Sequence, residues 1–200
     1  MHAPISIGID LSLTSTGVGV VGTDTHAIES AGIVAECYRY GRSGKRDEPI
    51  LMRLDRIEAI VYSIEALLTT SERLPLIAVL EAPATAAAGG SAHDRSGLWW
   101  LTVKMLRGYG IPVVSVITQH LKIYATGKGS KLDKEEVLLA MVRRHPWAPI
   151  SNNDEADGLT LAFMGARILG QPLDGKLAQL YTRALDKVTL PEGLDVAPHF

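Results

Sequence analysis

Residues 5–21 constrain the fold of this chain more than any other stretch. Ile5, Ile7 and Ile9 alternate with Ser6 and Gly8, the run Leu11-Ser-Leu-Thr-Ser15 breaks the alternation, and Thr16-Gly-Val-Gly-Val-Val21 resumes it. Alternation at a period of two marks a half-buried strand, so the stretch predicts two strands joined by a tight turn. Asp10 stands where the first strand ends. A carboxylate held by rigid backbone at the rim of a sheet can be aimed at a metal ion or a phosphate. The competing reading is an aspartate that caps the turn through its own side chain. Which reading holds depends on whether other acids converge on it.

Two hundred residues, 46% of them hydrophobic, suffice for one well-buried domain. The formal net charge is −2, so no global basic field marks the chain as a nucleic-acid binder, and any such surface must be local. Cys37 is the only cysteine, which excludes an intramolecular disulfide framework and a cysteine-based zinc site and fits a reducing cytosol. No basic, apolar leader opens the chain and no apolar run approaches about 18 residues, so a soluble cytoplasmic protein is expected.

A third antiparallel strand is expected over 27–35, completing a meander. Tyr38 to Arg46 follows with four cations (Arg39, Arg42, Lys45, Arg46), two tyrosines and two glycines in no regular period, and reads as a mobile basic loop. Arginine mixed with tyrosine suits backbone contact and base stacking, although a solvated loop explains it equally well. From Ile50 to Leu68, Leu51, Leu54, Ile57, Val61, Ile64 and Leu68 recur at helical spacing, with Arg53, Arg56 and Glu58 expected outward. Leu74 to Leu80 is nearly all apolar, as a central strand covered on both faces would be, and it ends in Glu81. An ionised glutamate closing such a run must be exposed at the strand end or paired there.

Ser96 to Gly108 reads as a helix whose adjacent Trp99 and Trp100 point about 100° apart, so one is expected in the core and the other at the surface or a dimer interface. Ile111 to Ile117 is the next strand and completes a β-α-β-α-β series with parallel strands. The stretch 121–134 carries four lysines (Lys122, Lys128, Lys131, Lys134) around a Gly-Lys-Gly turn ahead of a helix, and reads as an anion-handling or merely solvated loop. It is not a Walker A motif, since the first glycine and the spacing are missing. Asp154 and Asp157 share one face of a helix whose next positions are Gly158, Leu161, Ala162 and Gly165, and the small residues among them imply close packing on the sheet. Residues 171–200 read as a C-terminal appendage, after a domain spanning 1–170, with a short helix over about 176–187. His93, His120 and His145 lack ligand spacing, and Cys37 lacks a catalytic partner.

Parallel strands set side by side would bring Asp10, Glu81, Asp154 and Asp157 to one edge of the sheet. Four carboxylates in proximity need cations to stay ionised, and oxygen ligands without His or Cys select Mg²⁺ or Mn²⁺. Two such ions about 4 Å apart can drive phosphodiester hydrolysis.

The order Gly-Ile-Asp10 with a following Thr-Gly, a strand-ending Glu81, and Asp154-x-x-Asp157 within Asp-Glu-Ala-Asp-Gly-Leu-Thr-Leu-Ala resembles the RuvC family of Holliday junction resolvases, within the ribonuclease H-like superfamily. Arg53-Leu-Asp-Arg-Ile57 resembles the family's first helix, and Leu121-Lys122 with Gly127-x-Gly129-Ser resembles its lysine-bearing loop. The resemblance spans about residues 5–170. It implies an α/β ribonuclease H-like fold with a mixed five-stranded sheet, an antiparallel meander followed by parallel strands, flanked by helices. It also implies a homodimer in the cytoplasm of a bacterial host, cellular or viral, and Mg²⁺-dependent nicking of four-way DNA junctions in recombination and repair, with Mn²⁺ as a substitute. Asp10, Glu81, Asp154 and Asp157 match its metal ligands, Lys122 matches a basic position that handles DNA, and Lys134 lies one residue from a second. The sequence departs from the family in Leu11-Ser12 for Pro-Gly, and in having no aromatic just after Glu81. The alternatives are a fork, flap or RNA-directed nuclease, a non-catalytic junction-binding module, and an actin-like or sugar-kinase nucleotide binder, whose first phosphate loop also reads like residues 8–16.

Overall fold

The computed structural model describes residues 2–24, 32–45, 47–83, 91–133 and 135–194. Its strands are β1 (His2–Asp10), β2 (Thr16–Asp24), β3 (Ile33–Tyr40), β4 (Ile77–Glu81) and β5 (Val113–Val116). Its helices are α1 (Ile50–Thr70), α2 (Ala92–Gly108), α3 (Thr118–Thr126), α4 (Glu136–Arg144), α5 (Asn153–Ile168) and α6 (Gln179–Thr182). The five strands form one sheet in the order β3-β2-β1-β4-β5, antiparallel in the meander and parallel from β1 through β4 to β5. This is the mixed sheet expected from the sequence.

Strand parity divides the core in two. On one face, Val21, Ile77, Val79, Val114 and Val116 pack with α3, α4 and α5. On the other, Ile7, Ile9, Val18, Val20, Ala78 and Leu80 pack with Ile57, Ile60 and Ile64 of α1 and Leu98 and Leu106 of α2. A register shift between Pro4 and Ser6 turns Ile5 to the first face while Ile7 and Ile9 stay on the second. Successive side chains alternate between faces. Ser6, Gly8 and Asp10 therefore all lie under α5.

Several element readings are corrected. The third strand is Ile33–Tyr40, so Tyr38, Arg39 and Tyr40 belong to the sheet rather than to a loop; residues 27–31 of the expected strand lie outside the described residues. In α1 the buried stripe is Arg56, Ile57, Ile60, Ile64 and Leu68, while Leu51 and Leu54 are exposed. Arg56, expected outward, is buried because Glu48 and Asp94 neutralise it. Residues 121–126, part of the stretch expected as loop, belong to α3, which buries Leu121, Tyr124 and Ala125 and ends at Gly127 in the left-handed conformation. The helix expected over 176–187 shortens to α6, because the chain turns after Thr182 to bury consecutive Ala184 and Leu185 in the core. Trp99 is half-buried and Trp100 exposed.

Candidate active site

The site is assembled by register. Asp10 pairs with Gly17 across β1 and β2, and Ile9 pairs with Leu80 across β1 and β4, so Asp10 and Glu81 end neighbouring strands. Glu81 falls on the same face as Ile77 and Val79, the face under α5. The α5 helix lies on the sheet with its backbone against strand backbone. A Cβ on Gly17 would sit 1.8 Å from the Asp154 carbonyl oxygen, and one on Gly8 would sit 2.1 Å from that of Gly158. That closeness brings Asp154 and Asp157 to the ends of β1 and β4. The helix starts there because Asn152 caps it, accepting from the Glu155 N–H at 3.0 Å, while Glu155 accepts from Ser151 N–H and Oγ at 2.8 and 2.7 Å.

The four acids sense one another. Burial first, then Glu81 and Asp157, then a hydrogen bond with Glu81, then Asp154 push the Asp10 carboxyl from 3.8 up to about 9. Burial, Glu81 and Asp154 push Asp157 up to about 7, against the opposing pull of Lys122. Such a cluster favours either bound protons or a bound cation. Two hydroxyls serve its outer members, Ser15 donating to Asp154 Oδ2 and Thr118 donating to Glu81 Oε1. Among the described residues, no three His, Cys, Asp or Glu side chains already stand as a group able to hold a metal ion. The hydroxyl pairings fit that observation, since Asp154 and Glu81 each turn an oxygen to a neighbouring donor. The donor chemistry, all carboxylate oxygen, fits a hard divalent cation.

The cations expected to handle DNA divide into groups. Lys122, one turn after Thr118 on α3, lies near enough to Asp157 to lower its pKa. Lys128 is exposed and pairs with Glu136 at 3.6 Å, and Lys131 is exposed with a positive φ of 55°. Arg42 pairs with Glu48 at 3.7 Å, and Lys45 lines a cavity beside the β1–β2 turn. Arg46 and Lys134 lie outside the described residues. Sequence reasoning missed Ser15 and Thr118, whose polar character gave no hint that they would meet Asp154 and Glu81. It named Trp99 only as a core or surface ring, whereas its Nε1 donates to the Glu81 carbonyl oxygen at 3.0 Å.

The remaining singled-out groups stand apart. His145 is 3% exposed and stacks on Phe163 with ring centroids 4.2 Å apart, and burial drives its pKa down to about 4. Burial also pushes the Cys37 thiol up to about 12, which suits an inert side chain. No helix among the described residues is long and apolar enough to cross a membrane.

No family model matches the chain, and no curated protein matches it. Solved structures do. Thermus thermophilus RuvC is 22% identical with a TM-score of 0.60, covering 83% of this chain and 96% of that one. The same organism's RuvC in complex with a Holliday junction substrate is 20% identical with a TM-score of 0.58, covering 84% and 98%. Fowlpox virus resolvase, in complex with Holliday junction DNA, is 9% identical with a TM-score of 0.51, covering 79% and 93%. The chain thus has the ribonuclease H-like fold of RuvC, as its motifs led one to expect.

Proposed function

We propose that this protein is a metal-dependent, structure-selective endonuclease that nicks branched DNA and resolves four-way junctions in recombination and repair. The observation that carries this reading is the convergence of Asp10, Glu81, Asp154 and Asp157 at one end of the sheet, close enough to raise the Asp10 and Asp157 pKa values, with Lys122 beside them. A pure binding surface for a polyanion gains nothing from four carboxylates. The fold likeness to junction resolvases supports the substrate class.

Asp10, Glu81, Asp154 and Asp157 would hold Mg²⁺ or Mn²⁺, which when bound supplies the positive charge that phosphodiester hydrolysis requires. Ser15 and Thr118 orient the outer carboxylates, and Lys122 offers a charge to the DNA backbone next to Asp157. Lys128, Lys131, Lys134, Arg42, Lys45 and Arg46 extend the phosphate-contacting surface. Paired nicks need two sites, so the working form is a homodimer, with exposed Tyr62 on α1 and Trp100 on α2 as the aromatic surface it would cover. Residues 82–92 contain no aromatic, which favours tolerance of forks and flaps beside four-way junctions.

The test is cleavage of a labelled four-way junction, fork, flap and linear duplex with Mg²⁺, with Mn²⁺ and with chelator. Paired symmetric nicks in the junction that vanish on chelation are expected, and Asp10→Asn should abolish them while junction binding persists. Undiminished cutting by Asp10→Asn would remove the proposed site.

A further inference from the structure

Across the Ser12–Ser15 turn from Asp154 lies a cavity of about 520 Å³. Its walls come from four distant stretches: Ser12 and Thr14 of the turn, Gly44 and Lys45, Arg53 and Arg56 of α1, and Ser91, Asp94 and Arg95 at the start of α2. Asp94 holds Arg53 by two hydrogen bonds, 2.9 Å from Nε and 2.5 Å from the second nitrogen, and lies 3.7 Å from Arg56. Glu48 meets Arg56 at 3.3 Å. These two carboxylates thus neutralise the two α1 arginines. Lys45 and Arg95, both exposed, have no ion pair among the described residues, so the cavity carries surplus positive charge.

Three further observations point to an anion. Arg56 forms part of the cavity wall, its side chain is only 8% exposed, and its buried Nε has no hydrogen-bond partner. A buried donor without an acceptor is uncommon and costly, and a bound oxyanion would satisfy it. The first turn of α2 opens onto the same space, and its N-cap residue Ser91 makes no side-chain capping bond, so the helix start presents its N–H groups and positive dipole end. The Ser12 and Thr14 hydroxyls, 3.3 Å apart and bonded to each other, leave one further hydroxyl donor in the wall from the chain segment that directly follows Asp10.

We propose that this cavity is a phosphate pocket that seats a backbone phosphodiester of the DNA strand running into the carboxylate site. The assignment rests on the nuclease reading above. It gives Lys45 a partner role with Arg53, Arg56 and Arg95, and it makes the Ser12–Ser15 turn a wall shared by two sites, with Ser15 holding Asp154 on one side and Ser12 and Thr14 facing the phosphate on the other.

The experiment uses the full chain carrying Asp10→Asn, so that binding is read without cutting, with and without Lys45→Ala plus Arg95→Ala. Both added changes are at exposed side chains outside the ion-pair network, and a thermal melt checks that the fold persists. Removing one cation that neutralises a phosphate should lower the slope of log affinity against log salt by about 0.9, so the pair should lower it by about 2 on a four-way junction. A walk of single neutral methylphosphonates along the strand should find a position that weakens the parent and leaves the altered protein unaffected. An unchanged slope, or equal losses in both proteins at every position, overturns the pocket. Stabilisation of the parent by inorganic phosphate, absent from the altered protein and accompanied by an unchanged junction slope, would assign the cavity to a free anion and also overturn it. A parent that binds neither junction nor duplex at low salt would remove the nuclease reading itself, and the pocket with it.

Discussion

The two faces of the sheet are built by opposite means. Under α5 the contact is backbone on backbone: positions 8, 17 and 19 of the strands and 158 of the helix are glycines whose missing Cβ atoms leave no spare space. Under α1 and α2 the contact is large aliphatic side chains, with Ile57, Ile60, Ile64, Leu68, Leu98 and Leu106 filling the gap to Ile7, Ile9, Val18 and Leu80. Side chains can re-pack and backbones cannot, so the first face tolerates almost no displacement and the second tolerates some. The carboxylates ride on the rigid face. The α1 and α2 face instead supplies the arginines of the cavity beside the β1–β2 turn, whose long side chains adapt to what they hold.

One pair of substitutions attacks that contrast directly. Gly17→Ala would drive a methyl to 1.8 Å from the Asp154 carbonyl oxygen, and α5 would have to lift off the strands. We expect a loss of about 4 kcal/mol or more, among the largest effects a single change produces, or outright failure to fold. Gly97→Ala makes the same chemical change on the opposite face, where the new methyl lies 3.9 Å from Ile57 Cδ1 inside α2. There the helix should gain about 0.5–1 kcal/mol, since alanine surrenders less backbone entropy than glycine. Denaturant melts of both proteins decide it, and equal effects of one sign would erase the distinction.

Leu98→Ala sharpens the other half. Leu98 is fully buried between α2 and the sheet, and its truncation should cost about 2–5 kcal/mol. Because the acids are positioned by the opposite face, the turnover of the folded fraction should stay close to that of the parent below the melting transition. A fall in kcat matching the fall in stability would mean that the aliphatic face sets the acid geometry after all.

What the sequence made legible follows the same division. Asp10, Glu81 and the Asp154–Asp157 pair could be read because each sits at an end of a regular element, where alternation or helical spacing stops visibly. The small residues after Asp157 foretold the close α5 seam. The arginine cavity could not be read, because its walls at 12–14, 44–45, 53–56 and 91–95 are brought together only by tertiary folding. Arg56 looked like an outward charge because sequence does not disclose the buried Glu48 and Asp94 that neutralise it. The α3 helix escaped notice because its apolar positions, Leu121, Tyr124 and Ala125, are few and lie among lysines and glycines. The C-terminal stretch hid its anchorage for a similar reason. Asp174 is engaged by Tyr124 at 2.5 Å and by Arg167, and Arg183 donates to the Gly127 carbonyl at 3.1 Å, all partners distant in sequence or chemically unremarked.

The rigid face has a cost that pH should expose. Asp10 and Asp157 hold their protons in the folded state up to about 9 and about 7, whereas in the unfolded chain both release them near 3.8. The folded state therefore binds more protons between these values, and the associated stability, complete below 3.8, is lost as pH rises through about 7 and then about 9. In chelator the Tm should fall as pH is raised from about 5 to about 9. Mg²⁺ should restore it most at the alkaline end, and Asp10→Asn should flatten the profile. A Tm in chelator that climbs over this range would contradict the clustering of the acids.

A further small effect tests a tie between α2 and the acid edge of the sheet. Trp99 belongs to α2, yet its indole N–H donates to the Glu81 carbonyl at 3.0 Å, so the aliphatic face holds the last residue of β4 from below. Trp99→Phe keeps most of the ring packing and removes the donor, which should cost about 0.5–1.5 kcal/mol of stability. Its second consequence separates a support from a bystander. If the bond fixes the end of β4, Glu81 loses a backbone restraint beside its carboxylate, and cleavage should fall through kcat while junction affinity holds. If kcat is unchanged at the same loss of stability, the Thr118 hydroxyl and the β4–β5 ladder alone hold Glu81, and the acid edge is fixed wholly from the glycine-dense side.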